Sequence, residues 1–89
     1  MRAVITVVGK DKIGIIASVS AILAENKINI SDISQTILQG FFTMIMVVDL
    51  DKCEDEFEVI QKRLSEKGDE MGMSIRIQHE DIFDAMHNI

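Results

Sequence analysis

The stretch VVGKDKIGIIASVSAILAENKINISDI, residues 7–33, carries the change of periodicity that decides the fold. It begins inside RAVITVV (2–8), a short run rich in β-branched side chains that suits a largely buried strand. Gly9 opens a polar loop, GKDK, and from Ile13 the apolar residues recur at helical spacing. Ile16, Val19 and Leu23 form one stripe, with Ile15, Ile22 and several alanines beside it, which predicts a helix over about 12–26. Asp11 is placed to cap that helix. After Asn26-Lys27 the pattern alternates again, and INISDISQTIL (28–38) reads as a second strand. Its phase slips between Ile30 and Ile33, which predicts a bulge near Ser31-Asp32.

Outward from this unit the chain repeats the theme. Gln39-Gly40 makes a turn into FFTMIMVVDL (41–50), apolar on both faces and therefore a central strand. Phe42, Met44, Met46 and Val48 fall on one face, and Phe41, Ile45 and Val47 on the other. Asp51 and Glu54 resemble a capping box for a second helix over about 54–70, with Phe57, Ile60 and Leu64 on its apolar side and Gly68 and Gly72 at a frayed end. MSIRIQHE (73–80) alternates as an edge strand with Met73, Ile75 and Ile77 inward. Behind Asp81, the residues Ile82, Phe83, Met86 and Ile89 describe a short C-terminal helix over 81–89. The order β-α-β-β-α-β predicts a single α+β domain over 1–89. Its expected form is a ferredoxin-like sandwich: an antiparallel four-stranded sheet in the order 4-1-3-2, two helices on one face, plus the tail helix.

Composition narrows the function. The 89 residues contain nine Lys and Arg against 15 Asp and Glu, a net charge of −6, so phosphate backbones are poor partners and no nucleic acid is expected. The apolar runs are far short of the ~20 residues needed to cross a bilayer, so no membrane is expected either. Met1-Arg2 leads straight into the first strand without a signal-peptide pattern, which points to the cytoplasm. A single cysteine, Cys53, beside an acidic run, makes neither a disulfide framework nor an activated nucleophile. His79 and His87, near Glu80, Asp81 and Asp84, match no established ligand spacing, so no metal is assigned to them. The methionines fit core or interface positions. No catalytic triad, apolar carboxylate pair or phosphate loop occurs, and the sequence calls for neither enzymatic activity nor a cofactor.

Among ferredoxin-like families, a metal chaperone would need two cysteines in the first loop, which has none. An RNA-recognition motif would need aromatics on strand 1 and a basic surface. An acylphosphatase-like enzyme would need an arginine in the first loop, and GKDKIG offers only lysines. What the chain does resemble is an ACT domain. Residues 7–33 follow that family's pattern of strand, D-x-x-G, helix with a small-residue face, and a hydrophobic-Asn-Ile opening of the second strand; Asp11, Gly14 and Asn29 fall on it. The resemblance runs on through SQTILQGFFTMIMVVDL and RIQHEDIFDAMHNI. It is nearest to short stand-alone ACT proteins, which are similar to the ACT units of the glycine cleavage system repressor and of formyltetrahydrofolate deformylase. Many amino-acid-binding members carry proline before the glycine; here that position is Ile13.

The resemblance implies a regulatory module that binds an amino-acid-like ligand at or near a homodimer interface and acts on an unidentified partner protein. Asp11, Ile13, Gly14, Ile15 and Asn29 are then the ligand-binding candidates. The chemistry is reasonable. Amides of Ile13, Gly14 and Ile15 at a helix start attract a carboxylate, Asp11 accepts from an ammonium group, and Asn29 both donates and accepts. This reading expects Asp11, Gly14 and Asn29 to lie together. The residues equally allow a structural reading, in which Asp11 caps the helix, Gly14 relieves packing and Asn29 caps a strand end. The corresponding alternative function is a ligand-free oligomerisation or protein-interaction module.

The homodimer itself follows from area. Two helices cover one face of a four-stranded sheet, while strand 3 is apolar on both, and Ile33 and Ile37 are candidates to extend the open face. A two-fold contact between like patches, burying roughly 1,200–2,000 Å², would cover it. Edge pairing of strand 2 across the two-fold is the competing geometry.

Overall fold

A computed structural model describes residues 1–87, with the side chain of His87 left out. The expectation for Ile89 lies outside the described residues. The elements are β1 (Arg2–Lys10), α1 (Ile15–Glu25), β2 (Asn29–Leu38), β3 (Phe41–Asp49), α2 (Phe57–Met71), β4 (Met73–His79) and α3 (Glu80–His87). The strands form one antiparallel sheet in the order β2-β3-β1-β4, the expected ferredoxin-like arrangement read from its other edge.

Register assigns the faces. Ala3, Ile5 and Val7 of β1 pair with Val48, Met46 and Met44 of β3, and with His79, Ile77 and Ile75 of β4. Directly paired residues project to the same side of a sheet. Most of this set joins Ile15, Val19 and Leu23 of α1 and Ile60 and Leu64 of α2 in one buried core, so both helices lie on that face. Val4, also buried, faces the other way together with its register partners Val47 and Gln78. There the Gln78 amide donates to Met86 Sδ at 3.5 Å, which puts α3 across the second face.

Ile33 and Ile37 depart from expectation. They pair with Met46 and Phe42 and so stand on the helix side, not the open one. They are exposed because β2 is an edge strand that the helices do not cover fully. The register shift between Ile30 and Asp32 is the bulge expected near Ser31-Asp32.

Both helices start later than the sequence suggests. No capping box forms at Asp51: its backbone N–H donates to Asp49 Oδ1 at 2.8 Å and its carboxylate meets the amino group of Met1. The helix therefore begins at Phe57, with Glu56 in the cap position and no side-chain cap. Gly68 is not at a frayed end. It is buried inside α2, where a Cβ would stand 2.6 Å from the Met73 carbonyl oxygen, and that close approach seats α2 on β4.

Candidate functional site

The β1–α1 loop holds three of the five candidate residues, Asp11, Ile13 and Gly14, and Ile15 opens α1. Asp11 continues the line of β1 by donating its N–H to the Gly40 carbonyl in the β2–β3 turn, at 2.8 Å. That bond ties Asp11 to the hairpin, and the start of α1 has no side-chain cap bond, so Asp11 does not cap it. Gly14 takes the N-cap position in the left-handed region, φ 89° and ψ 6°. A side chain in this conformation costs roughly 1–2 kcal/mol, which is the reason for glycine here. Packing is not the reason, since a Cβ on Gly14 would meet nothing within 4 Å.

From Gly14 onward the helix is regular: Ser18 N–H donates to the Gly14 carbonyl at 2.9 Å. Ile15 is buried in the core, so only its backbone is available to a ligand. Ile13 is the opposite case, with a relative exposure of 104%. The first-turn amides of α1 lack helical acceptors by construction and carry the positive end of the helix dipole. Three residues ahead of Gly14 stands Asp11, which is exposed. A zwitterion offers the matching pair of charges.

Lys12 anchors this loop. Its ammonium donates to the carbonyl of Met71, in the last turn of α2, where the dipole favours a cation. With donor and acceptor 59 positions apart, nothing local in the sequence marks Lys12 for that role.

Asn29 is elsewhere. It pairs with Asp49, which pairs with Arg2, whereas Asp11 follows Lys10, which pairs with Phe41 next to the hairpin turn. Eight residues of β1 separate the two levels, about 26 Å at ~3.3 Å per residue. Within one chain the expected meeting of Asn29 with Asp11 and Gly14 does not occur. The reason is topological: α1 returns along the sheet and delivers β2 to the end where β1 began. Asn29 instead lines an open depression of about 550 Å³ with Lys27, Asp49, Asp51 and Lys52.

Lys27, Asp49 and Asp51 of that depression are paired. The amino group of Met1 meets the carboxylate of Asp51 and lies 3.9 Å from Asp49. A hydrogen bond from that ammonium group, then its charge, hold the Asp51 carboxyl below the usual carboxylate range. The bond to Asp51 in turn raises the amine. Lys27 pairs with Glu54 at 2.7 Å, and Arg63 bridges Asn26 and Asp55. Among the described residues no group of three or more His, Cys, Asp or Glu is arranged to hold a metal ion, and no helix is long and apolar enough to cross a membrane.

Comparison with known proteins gives a consistent result. A family model described as ACT domain matches residues 2–78. A UPF0237 protein of Clostridium acetobutylicum is 57% identical over 89 residues, covering 100% of both chains. Among solved structures, an ACT domain protein from Streptococcus pneumoniae superposes with a TM-score of 0.83 at 45% identity, covering 94% of each chain. A formyltetrahydrofolate deformylase from Pseudomonas syringae pv. tomato superposes with a TM-score of 0.80 at 25% identity, over 88% of this chain and 27% of that one.

Proposed function

Because the chain belongs to the ACT domain family, we propose that it is a cytoplasmic, non-catalytic regulatory module. In this reading it dimerises through β2 and holds a small amino-acid-like ligand at the junction. The observation that carries the reading is the placement of Asn29 at the start of the edge strand β2 and of the Asp11 loop at the opposite end of the sheet. β2 is an edge strand, exposed along nearly its whole length. Antiparallel pairing of two copies of β2, centred near Ile33-Ser34, sets Asn29 of one copy close to Leu38 of the other. It therefore stands at the end of the other copy that carries the Asp11 loop. Half-exposed Ile33 and Ile37 become covered in the same contact.

Each such junction offers what a zwitterion needs. The α1 amides take the carboxylate, Asp11 takes the ammonium group, and Asn29 from the second copy closes the site. A ligand touching both copies favours the paired state and, by linkage, whatever partner protein binds that state.

Thermal shift against the twenty amino acids tests this. One of them should raise the melting temperature in a concentration-dependent way. Asn29→Ala should weaken that response at least tenfold while leaving the unliganded melt unchanged; an unaltered response removes Asn29 from the site. A second reading, an interaction module without a ligand, draws on the complete exposure of Ile13 at the loop tip. It predicts no shift with any amino acid and loss of dimer in Ile13→Asp.

A further inference from the structure

The sheet face opposite α1 and α2 is only half covered. Register places Val4, Thr6, Val8 and Lys10 of β1 there, beside Val47, Ile45, Thr43 and Phe41 of β3. α3 covers the Val4 half, at the end of the sheet where Gln78 meets Met86. Towards the hairpin the apolar side chains stand open: Phe41 is 56% exposed, and Val8 and Ile45 are each exposed by more than a third. On the helix itself Ile82 and Met86 are exposed as well. The face is thus a step, with a raised half about 10 Å high, the diameter of a helix, and a bare half beside it. The step is fixed in place. No residue intervenes between His79 of β4 and Glu80 of α3, and Glu80 pairs with Arg2 at 3.2 Å.

We infer that this stepped face is a second self-association surface, taking a second copy of the same chain, so that the two geometries for a dimer coexist and edge-paired dimers assemble into tetramers. The tetramer rests on the edge pairing proposed above; the face contact does not. Three features favour a second copy over another partner. A step is complementary to itself: a two-fold axis across the strands lays the raised half of each copy on the bare half of the other. Exposed Ile82 and Met86 then meet Phe41, Ile45 and Val8, apolar against apolar. The same rotation brings Lys10, at the bare end, towards Glu80 and Asp81 in the first turn of the other α3, cation against acid.

The area is sufficient for a self-association surface. Four strands of about nine residues present roughly 570 Å² in projection, or roughly 1,100 Å² between two copies, near the lower margin of a specific interface.

The test is sedimentation of the full chain over a micromolar concentration series, with Phe41→Asp as the face variant and Ile33→Lys as the edge variant. Both substitutions are at exposed positions, and circular dichroism melts verify folding. The wild type should reach a tetramer, each variant should stop at half that mass, and the double variant should sediment as a monomer. A wild type that never exceeds a dimer, together with a monomeric Ile33→Lys, overturns the face contact and leaves edge pairing intact. Halved mass in Phe41→Asp with none in Ile33→Lys supports the face and defeats the edge. A mixture of light and isotopically heavy chains treated with a carbodiimide supplies a readout independent of mutation. A light–heavy link between Lys10 and Glu80 or Asp81 supports the face contact, and its absence refutes it.

Discussion

Lys27 holds a conformation usually given to glycine. Its φ is 58°, and it follows Asn26, the C-cap of α1. Its N–H donates to Ala24 and that of Ile28 to Leu23, the two bonds of a Schellman ending, with Ile28 buried beside Leu23 as the accompanying apolar contact. A β-branched side chain tolerates this region least. Lys27→Val should therefore cost about 1 kcal/mol in urea denaturation, whereas Lys27→Gly should be at least as stable as the wild type despite losing the exposed pair with Glu54. The other residue-scale expectation concerns Asp51. Its carboxyl is depressed in the folded chain, so its contribution is present above the ordinary value of 3.8 and is lost as pH falls through the depressed one. The Met1 amine is raised, so its contribution is present below 8.0 and is lost as pH rises through the raised value. Titration followed by NMR should find Asp51 below ordinary carboxylates, and Asp51→Asn should return the Met1 amine towards its ordinary value.

For the elements, strands were more legible than helix starts. Period-two alternation fixes which side of β4 is buried, and the phase slip in β2 exposes its bulge, because a strand's faces follow directly from residue parity. Helix starts depend on which partner a capping side chain or amide finds. Asp11 and Asp51 both look like caps, yet one is held by the Gly40 carbonyl and the other by the amino group of Met1, partners remote in sequence. The separation of Asn29 from Asp11 was readable in principle, since a helix returning along a sheet must start the next strand at the far end. The resemblance groups those residues by motif, and a motif carries no such direction. Gly68 shows a different gap: from the sequence it looks like a helix breaker, whereas it marks a close contact between α2 and β4. Gly68→Ala gains about 1 kcal/mol of helix propensity but drives a methyl group against the Met73 carbonyl and Ile75. The net loss should be about 1–2 kcal/mol, measured by denaturant midpoint, and no loss would mean that α2 can shift off β4 freely.

For the whole molecule, the net charge of −6 keeps separate copies apart at low ionic strength, so apolar contact has to outweigh it wherever copies meet. The order β2-β3-β1-β4 reaches further than packing. The strand made first occupies an interior place, and the strand that completes its far side comes more than sixty residues later. During synthesis β2 and β3 can close as a local hairpin around Gln39-Gly40, and β1 can then dock on β3. Until Met73–His79 has emerged from the ribosome, one flank of β1 has no partner, and an apolar strand with an open flank invites pairing with neighbouring chains. The hazardous interval in the life of this small protein is therefore its birth, and it ends only when the last strand arrives.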